Sequence, residues 1–142
     1  FYDRVNNVIG LAHSGWRGTC KRMGAVMVKE MNRHFGSRAK DIIACIGPGI
    51  CQDCYQVSED VYEEFSKNFK REDIESIFRE DGKDHFRLSL WKANEIVLKE
   101  AGVLPENIFT SNICTACNPD LLYSHRIMGD IRGNMAAFLA LK

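Results

Sequence analysis

The chain has 142 residues, 45% of them hydrophobic and 27% charged, which suffices for one globular domain with a real core. Nineteen basic and nineteen acidic side chains cancel, so no global field draws the protein to nucleic acid or to a membrane surface. No apolar run approaches the roughly 18 to 20 residues needed to span a bilayer, and the opening FYDRVNN lacks the basic start and apolar middle of a secretory signal. The expectation is an intracellular, cytoplasmic chain with reduced cysteines.

Residues 6–13, NNVIGLAH, read as a short buried strand, and Gly15 and Gly18 around Trp16 and Arg17 read as a tight turn into a helix. His13 is thereby placed at a strand end, facing the unpartnered N–H groups of a helix N-terminus. An imidazole there serves as a base or a metal ligand, or is simply hydrogen-bonded at the end of a strand. Across residues 19–34, Met23, Val26, Met27 and Met31 recur at helical spacing, which predicts an amphipathic helix stopped at Gly36. Its methionine stripe is core packing rather than a ligand surface.

Residues 41–50, DIIACIGPGI, predict a buried strand that ends in a sharp Gly47-Pro48-Gly49 loop. Residues 57–69 predict a surface helix capped by Ser58, with Val61, Tyr62, Phe65 and Phe69 on one face. The charge-dense residues 70–84 read as an exposed helical turn or loop. Residues 85–103 predict a strand leading into a helix through Leu90, Ala93, Asn94, Val97 and Leu98, stopped near Gly102. Another strand is expected at 106–112, then a Cys-Asn-Pro-Asp turn, a stretch ending in Arg126, a glycine-bearing turn and a last apolar strand. The class is α+β (mixed α/β), a layered mixed β-sheet with helices packed on it. One domain over residues 1–142 is expected.

Cys51 with Cys54 and Cys114 with Cys117 each have the Cys-x-x-Cys spacing of structural zinc sites. The pairs stand 59 residues apart, against about 15 to 20 in zinc-ribbon spacing. The expectation is that the four thiols do not converge on one metal.

Three stretches, AHSGWRGT (12–19), IGPGICQDCYQV (46–57) and CNPDLLYSHR (117–126), occur in this order over nearly the whole chain. Together they resemble the laccase-domain family, long described as multicopper polyphenol oxidoreductases and now regarded as zinc-dependent purine nucleoside phosphorylases with adenosine deaminase activity. The resemblance has departures. Ser14 stands where the family has alanine, Cys51 where it usually has glycine, and Arg132-Gly133-Asn134-Met135 where it has Thr-Gly-Arg-Met. It implies that His13 is one of three metal ligands. The other two, a histidine in Gln-x-His and a cysteine in Ala-Asp-Cys, belong to upstream motifs absent from this sequence, so the chain looks like the C-terminal portion of a member, lacking the N-terminal part of the family fold.

Phosphorolysis needs a cationic pocket for phosphate, and deamination needs a metal-activated water at an open coordination position. His13 suits the second need. Arg17, Ser124 and Arg126 suit the first, because guanidinium forks match phosphate; structural ion pairs are the alternative for the two arginines. Tyr55 and Tyr123 stack on a purine or pack in the core. The implied partners are a purine nucleoside and phosphate, with no nucleic acid and no membrane, and the implied cofactor is zinc. Copper and laccase chemistry are the alternative, but a blue-copper site with a trinuclear cluster is rich in histidine, and only His13, His34, His85 and His125 are present. A cysteine hydrolase or deamidase would use Cys54 or an upstream cysteine as nucleophile with His13 as base. A non-catalytic binding module is the third reading.

Overall fold

The α+β class holds, with the strands gathered in two sheets. The computed structural model describes residues 1–142. In chain order the elements are β1 (Tyr2–Asp3), β2 (Val8–Ile9), α1 (Trp16–Cys20), α2 (Met23–Phe35), β3 (Ile42–Ile46), β4 (Gln56–Ser58), α3 (Glu59–Ser66), α4 (Arg71–Ile77), β5 (Phe78–Glu80), β6 (His85–Leu88), α5 (Leu90–Glu100), β7 (Ile108–Thr110) and α6 (His125–Met128). The chain divides into two compact units, one of residues 1–46, 94–111 and 137–142, the other of residues 47–93 and 112–136. No helix is long and apolar enough to cross a membrane.

The first unit holds the four-stranded sheet, in the order β2-β1-β3-β7. β1 pairs antiparallel with β2 and β3, and β3 pairs parallel with β7, in the register Ala44 to Ile108 and Ile46 to Thr110. Its core gathers Val28 and Met31 of α2, Ile42 and Ala44 of β3, Leu98 of α5 and Val103. The helix expected over 19–34 is broken, because Arg22 adopts a left-handed φ of 61° between α1 and α2 and its side chain pairs with Glu100 of α5. The buried face of α2 is Gly24, Val28 and Met31, and Val26, expected on that face, is exposed. Gly24 is what allows the close approach, since a Cβ there would come within 3.2 Å of Leu98. Gly36 ends the helix as expected, with φ 68° and its N–H bonded to the carbonyl of Asn32.

Only Val8–Ile9 of the first predicted strand pairs, and His13 lies in the irregular segment between β2 and α1. α1 has five residues, so the helix behind His13 is little more than one turn and its dipole is correspondingly weak.

The second unit holds the antiparallel sheet β4-β6-β5. Its core is aromatic: Tyr62 stacks on Phe86 at 4.3 Å, Phe65 meets Phe78 edge-on at 5.4 Å, and Ile77 and Leu88 are fully buried beside them in the sequence of α4, β5 and β6. The face expected for α3 is the face observed, with Val61, Phe65 and Phe69 buried. Of the helical turn or loop expected over residues 70–84, the helical reading is the one observed in α4, and the stretch is not wholly exposed, because Ile74, Ile77 and Phe78 give it a buried apolar side that continues into β5. The last apolar strand does not form; residues 132–142 have no regular structure.

Asp3 is fully buried and accepts hydrogen bonds from the amides of Val5 (2.9 Å) and Asn6 (3.2 Å) and from the Asn6 side chain (2.8 Å). Burial alone would raise its pKa, but the Ser37 hydroxyl, the Asn6 side chain and the amides of Val5 and Asn6 hold the carboxyl down at about 2. The charged form stabilises the fold fully above the ordinary value of 3.8, and that contribution is lost as the pH falls toward about 2. Asp3→Asn is therefore expected to lower the Tm at neutral pH, and the gap between variant and parent to close as acid takes the parent through that window, read by circular-dichroism melting.

Candidate functional site

His13 is exposed and sits three residues before the first helical residue, Trp16. The segment that carries it is fixed by three polar side chains of the first unit. The Ser14 hydroxyl lies 3.0 Å from the Thr19 hydroxyl and donates to Asn94 Oδ1 at 3.1 Å, while Asn94 Nδ2 donates to Thr19 Oγ1 at 3.0 Å. Thr19 also donates to the Ser14 carbonyl at 3.2 Å. Thr19 and Asn94 are buried, and a buried hydroxyl or amide that is fully bonded locks its neighbours in one arrangement. The amphipathic reading placed Asn94 in the apolar stripe of α5; a polar side chain inside that stripe was the available sign of a positioning role. Arg17 is exposed, with its guanidinium 4.4 Å from the centre of the Trp16 ring.

The four thiols of Cys51, Cys54, Cys114 and Cys117 do converge, contrary to the expectation from their spacing: all four sulfurs lie within 4.8 Å of one another. Cys54 Sγ is 3.5 Å and Cys51 Sγ 4.0 Å from Cys117 Sγ. A single 3₁₀ turn (Gln52–Cys54), closed by the Cys54 amide on the Cys51 carbonyl at 3.1 Å, brings residues i and i+3 to one side. Residues 114–117 form a second turn, tied by Asn118 Nδ2 to the Cys114 carbonyl at 2.7 Å. A parallel bridge joins the two, with the Gly49 amide on the Ile113 carbonyl and the Thr115 amide on the Gly49 carbonyl, each at 3.1 Å. Gly49 can sit there because it has no Cβ, which would lie 3.2 Å from the Trp91 indole nitrogen. The Cys51 amide then donates to Cys114 Sγ at 3.2 Å.

This crowd of thiols divides its protons unevenly. Burial opposes ionisation of Cys114, yet hydrogen bonds from Cys51 and Cys117 hold its thiol down at about 6. Hydrogen bonds with Cys117 and Cys51 push Cys54 up to about 12, with burial adding to the effect. Chemically, four clustered sulfurs can hold a metal ion.

Of the other expected site residues, Tyr55 and Arg126 come together: the Arg126 guanidinium lies 5.2 Å from the centre of the Tyr55 ring and donates to the Gln56 carbonyl at 2.9 Å. Tyr123 is half-exposed and lies against Gly133. Ser124 is buried, and its carbonyl accepts from the amides of Ile127 (3.3 Å) and Met128 (2.9 Å) at the start of α6. Among the remaining histidines, His34 pairs with Glu30 at 3.2 Å and His85 Nδ1 is 2.7 Å from the Lys83 carbonyl.

The model of the multi-copper polyphenol oxidoreductase laccase family matches residues 1–142. The chain belongs to this family. It is 36% identical over 142 residues to purine nucleoside phosphorylase YlmD of Bacillus subtilis, covering 100% of this chain and 50% of that protein. It is 38% identical over 128 residues to adenosine deaminase RL5 of an unknown prokaryotic organism, covering 89% of this chain and 48% of that protein. The crystal structure of Bacillus licheniformis hypothetical protein YfiH superposes with a TM-score of 0.83 at 36% identity, covering 89% of this chain and 47% of that one. The chain thus spans about half the length of the curated relatives it matches.

The polar triangle sets a test of this family member's His13 segment. Asn94→Ala leaves two hydroxyls short of a partner and is expected to cost about 1–3 kcal/mol. In denaturant unfolding, the loss in an Asn94→Ala, Ser14→Ala double variant should be smaller than the sum of the two single losses, because both remove the same bonds.

Proposed function

We propose that this chain serves in zinc-dependent phosphorolysis of purine nucleosides (adenosine, inosine and guanosine), with adenosine deaminase activity, in the cytoplasm. The observation that carries the reading is the match, along the chain, to relatives named for these two activities. An exposed imidazole on a segment held by buried hydroxyl and amide bonds fits a metal-ligand role for His13. His13 supplies one donor, and the proposal takes the other two ligands from outside this sequence. A zinc ion held by three protein ligands supplies an activated water for deamination.

The remaining steps fall to side chains. Arg126 has five N–H donors, of which one bonds the Gln56 carbonyl, and its planar fork suits a phosphate oxygen pair. Its cation lies over the Tyr55 ring, and Tyr55 is the aromatic ring assigned to the purine. Tyr123 offers a second aromatic surface. Ser124, being buried, holds the start of α6 and so positions Arg126. Arg17, exposed on α1, offers a guanidinium of the same phosphate-matching kind.

In the full-length protein, phosphate-dependent cleavage of adenosine and inosine is expected to stop on zinc chelation. His13→Ala should remove metal retention at that site together with turnover. Arg126→Ala should lower kcat/KM of phosphorolysis about ten- to a hundredfold, as expected for a charge-assisted contact, and deamination much less, because only phosphorolysis brings in the anion. Equal losses in both would take the phosphate role from Arg126. Bound copper with phenol oxidation and no nucleoside cleavage would favour the chemistry in the family's description.

A further inference from the structure

The four-cysteine cluster is outside everything the phosphorylase reading uses, and it has the properties of a closed metal site. We propose that Cys51, Cys54, Cys114 and Cys117 hold one zinc ion as a tetrathiolate, a structural ion separate from the metal assigned to His13. A zinc–sulfur bond of about 2.3 Å sets tetrahedral sulfurs about 3.8 Å apart. The contacts of 3.5 Å and 4.0 Å around Cys117 bracket that edge, and no sulfur pair exceeds 4.8 Å.

The scaffold is prepared for the ion by bonds that do not involve it. The 3₁₀ turn presents Cys51 and Cys54 together, and the Gly49–Cys114 bridge sets the second pair against them. The turn is anchored to the three-stranded sheet: Gln52 Nε2 donates to the carbonyls of Ile77 (3.1 Å) and Arg87 (3.3 Å), Arg87 donates to the Asp53 carbonyl (2.6 Å), and Arg79 pairs with the Asp53 carboxylate (2.7 Å). The Cys51 amide already points at Cys114 Sγ, a donor that compensates the negative charge gathered on four thiolates. Cys117 is exposed, which leaves the ion a way in. All four ligands are protein sulfurs, so no coordination position remains for water or substrate, and the ion is structural rather than catalytic. On binding, the thiols that are still protonated give their protons to solvent, and no redox partner is involved.

The ion closes a loop of more than fifty residues between its two pairs and ties together the segments that continue into Tyr55 and into α6. The inference does not depend on the phosphorylase reading and is tested apart from it. Native full-length protein, purified under reductant, is analysed for zinc and iron by mass spectrometry beside Cys51→Ser/Cys117→Ser and His13→Ala. The double cysteine variant should lose one zinc per chain and melt at a lower temperature, and His13→Ala should keep that zinc. Cobalt substituted into the parent should show thiolate-to-cobalt charge transfer in the near ultraviolet, absent from the cysteine variant. If the cysteine variant does not fold, stepwise mercurial titration of the parent decides: four thiols should react as one zinc is released to a chelating dye. Unchanged zinc in the cysteine variant, iron in place of zinc, no near-ultraviolet thiolate band in the cobalt form, or four thiols reacting with no zinc released would each overturn the proposal.

Discussion

One backbone pairing, between Gly49 and Cys114, underlies the arrangement of the second unit. It joins stretches more than sixty residues apart in sequence, and the entropy of closing such a loop has to be met by the contacts it permits. Those contacts are concentrated around it. The Cys51 amide reaches Cys114 Sγ, the four sulfurs gather, and Gln52 ties the same turn to carbonyls of Ile77 and Arg87. The residue after the turn is Tyr55, whose ring lies under Arg126. A Cβ at position 49 would press on the Trp91 indole at 3.2 Å, so a glycine there eases the pairing.

The first unit solves a different problem by different means. An exposed histidine has to be held still by a segment with almost no regular structure. Hydroxyl and amide groups do this, because the half-buried Ser14 and the buried Thr19 and Asn94 satisfy one another. Ser14 is a departure from the family's alanine, and its hydroxyl is one corner of the triangle. A hydrogen-bonded triangle gives orientation without much stability, since each bond replaces one to water. The apolar contacts of α2, β3 and α5 behind it supply the cohesion.

Family membership places these features in a wider frame. The relatives are named for two reactions on nucleosides, and the family is described by copper oxidation. Both descriptions involve chemistry that a single histidine and a few arginines do not complete, and the chain covers about half of each relative. The chain carries an exposed imidazole on a hydrogen-bonded segment, a cation held on an aromatic face, and a cluster of sulfurs. Because the sulfurs could hold a metal of their own, a metal measured on the whole protein has to be apportioned before it is assigned to catalysis.

Periodicity in the sequence determined the elements whose burial pattern is local. The α5 stripe of Ala93, Asn94, Val97 and Leu98, the α3 face of Val61, Phe65 and Phe69, the strand at Ile42–Ile46 and the stop at Gly36 all follow from side chains repeating at 3.6 or 2 residues and from a glycine where φ turns positive. Motif resemblance pointed to the family, since short stretches around His13, Tyr55 and Arg126 are specific in order. Tertiary structure decided the rest. The pairing of Arg22 with Glu100 accompanies a break in a helix that periodicity ran straight through, and Gly24 is a packing surface only because Leu98 lies against it. Ile74, Ile77 and Phe78 outweighed the charges around them because an aromatic core was there to receive them. The four cysteines met because a long-range backbone bridge set their two turns side by side. Spacing rules describe ligands that share one hairpin, and contacts between distant segments are made by burial and pairing energies that no local window of sequence contains.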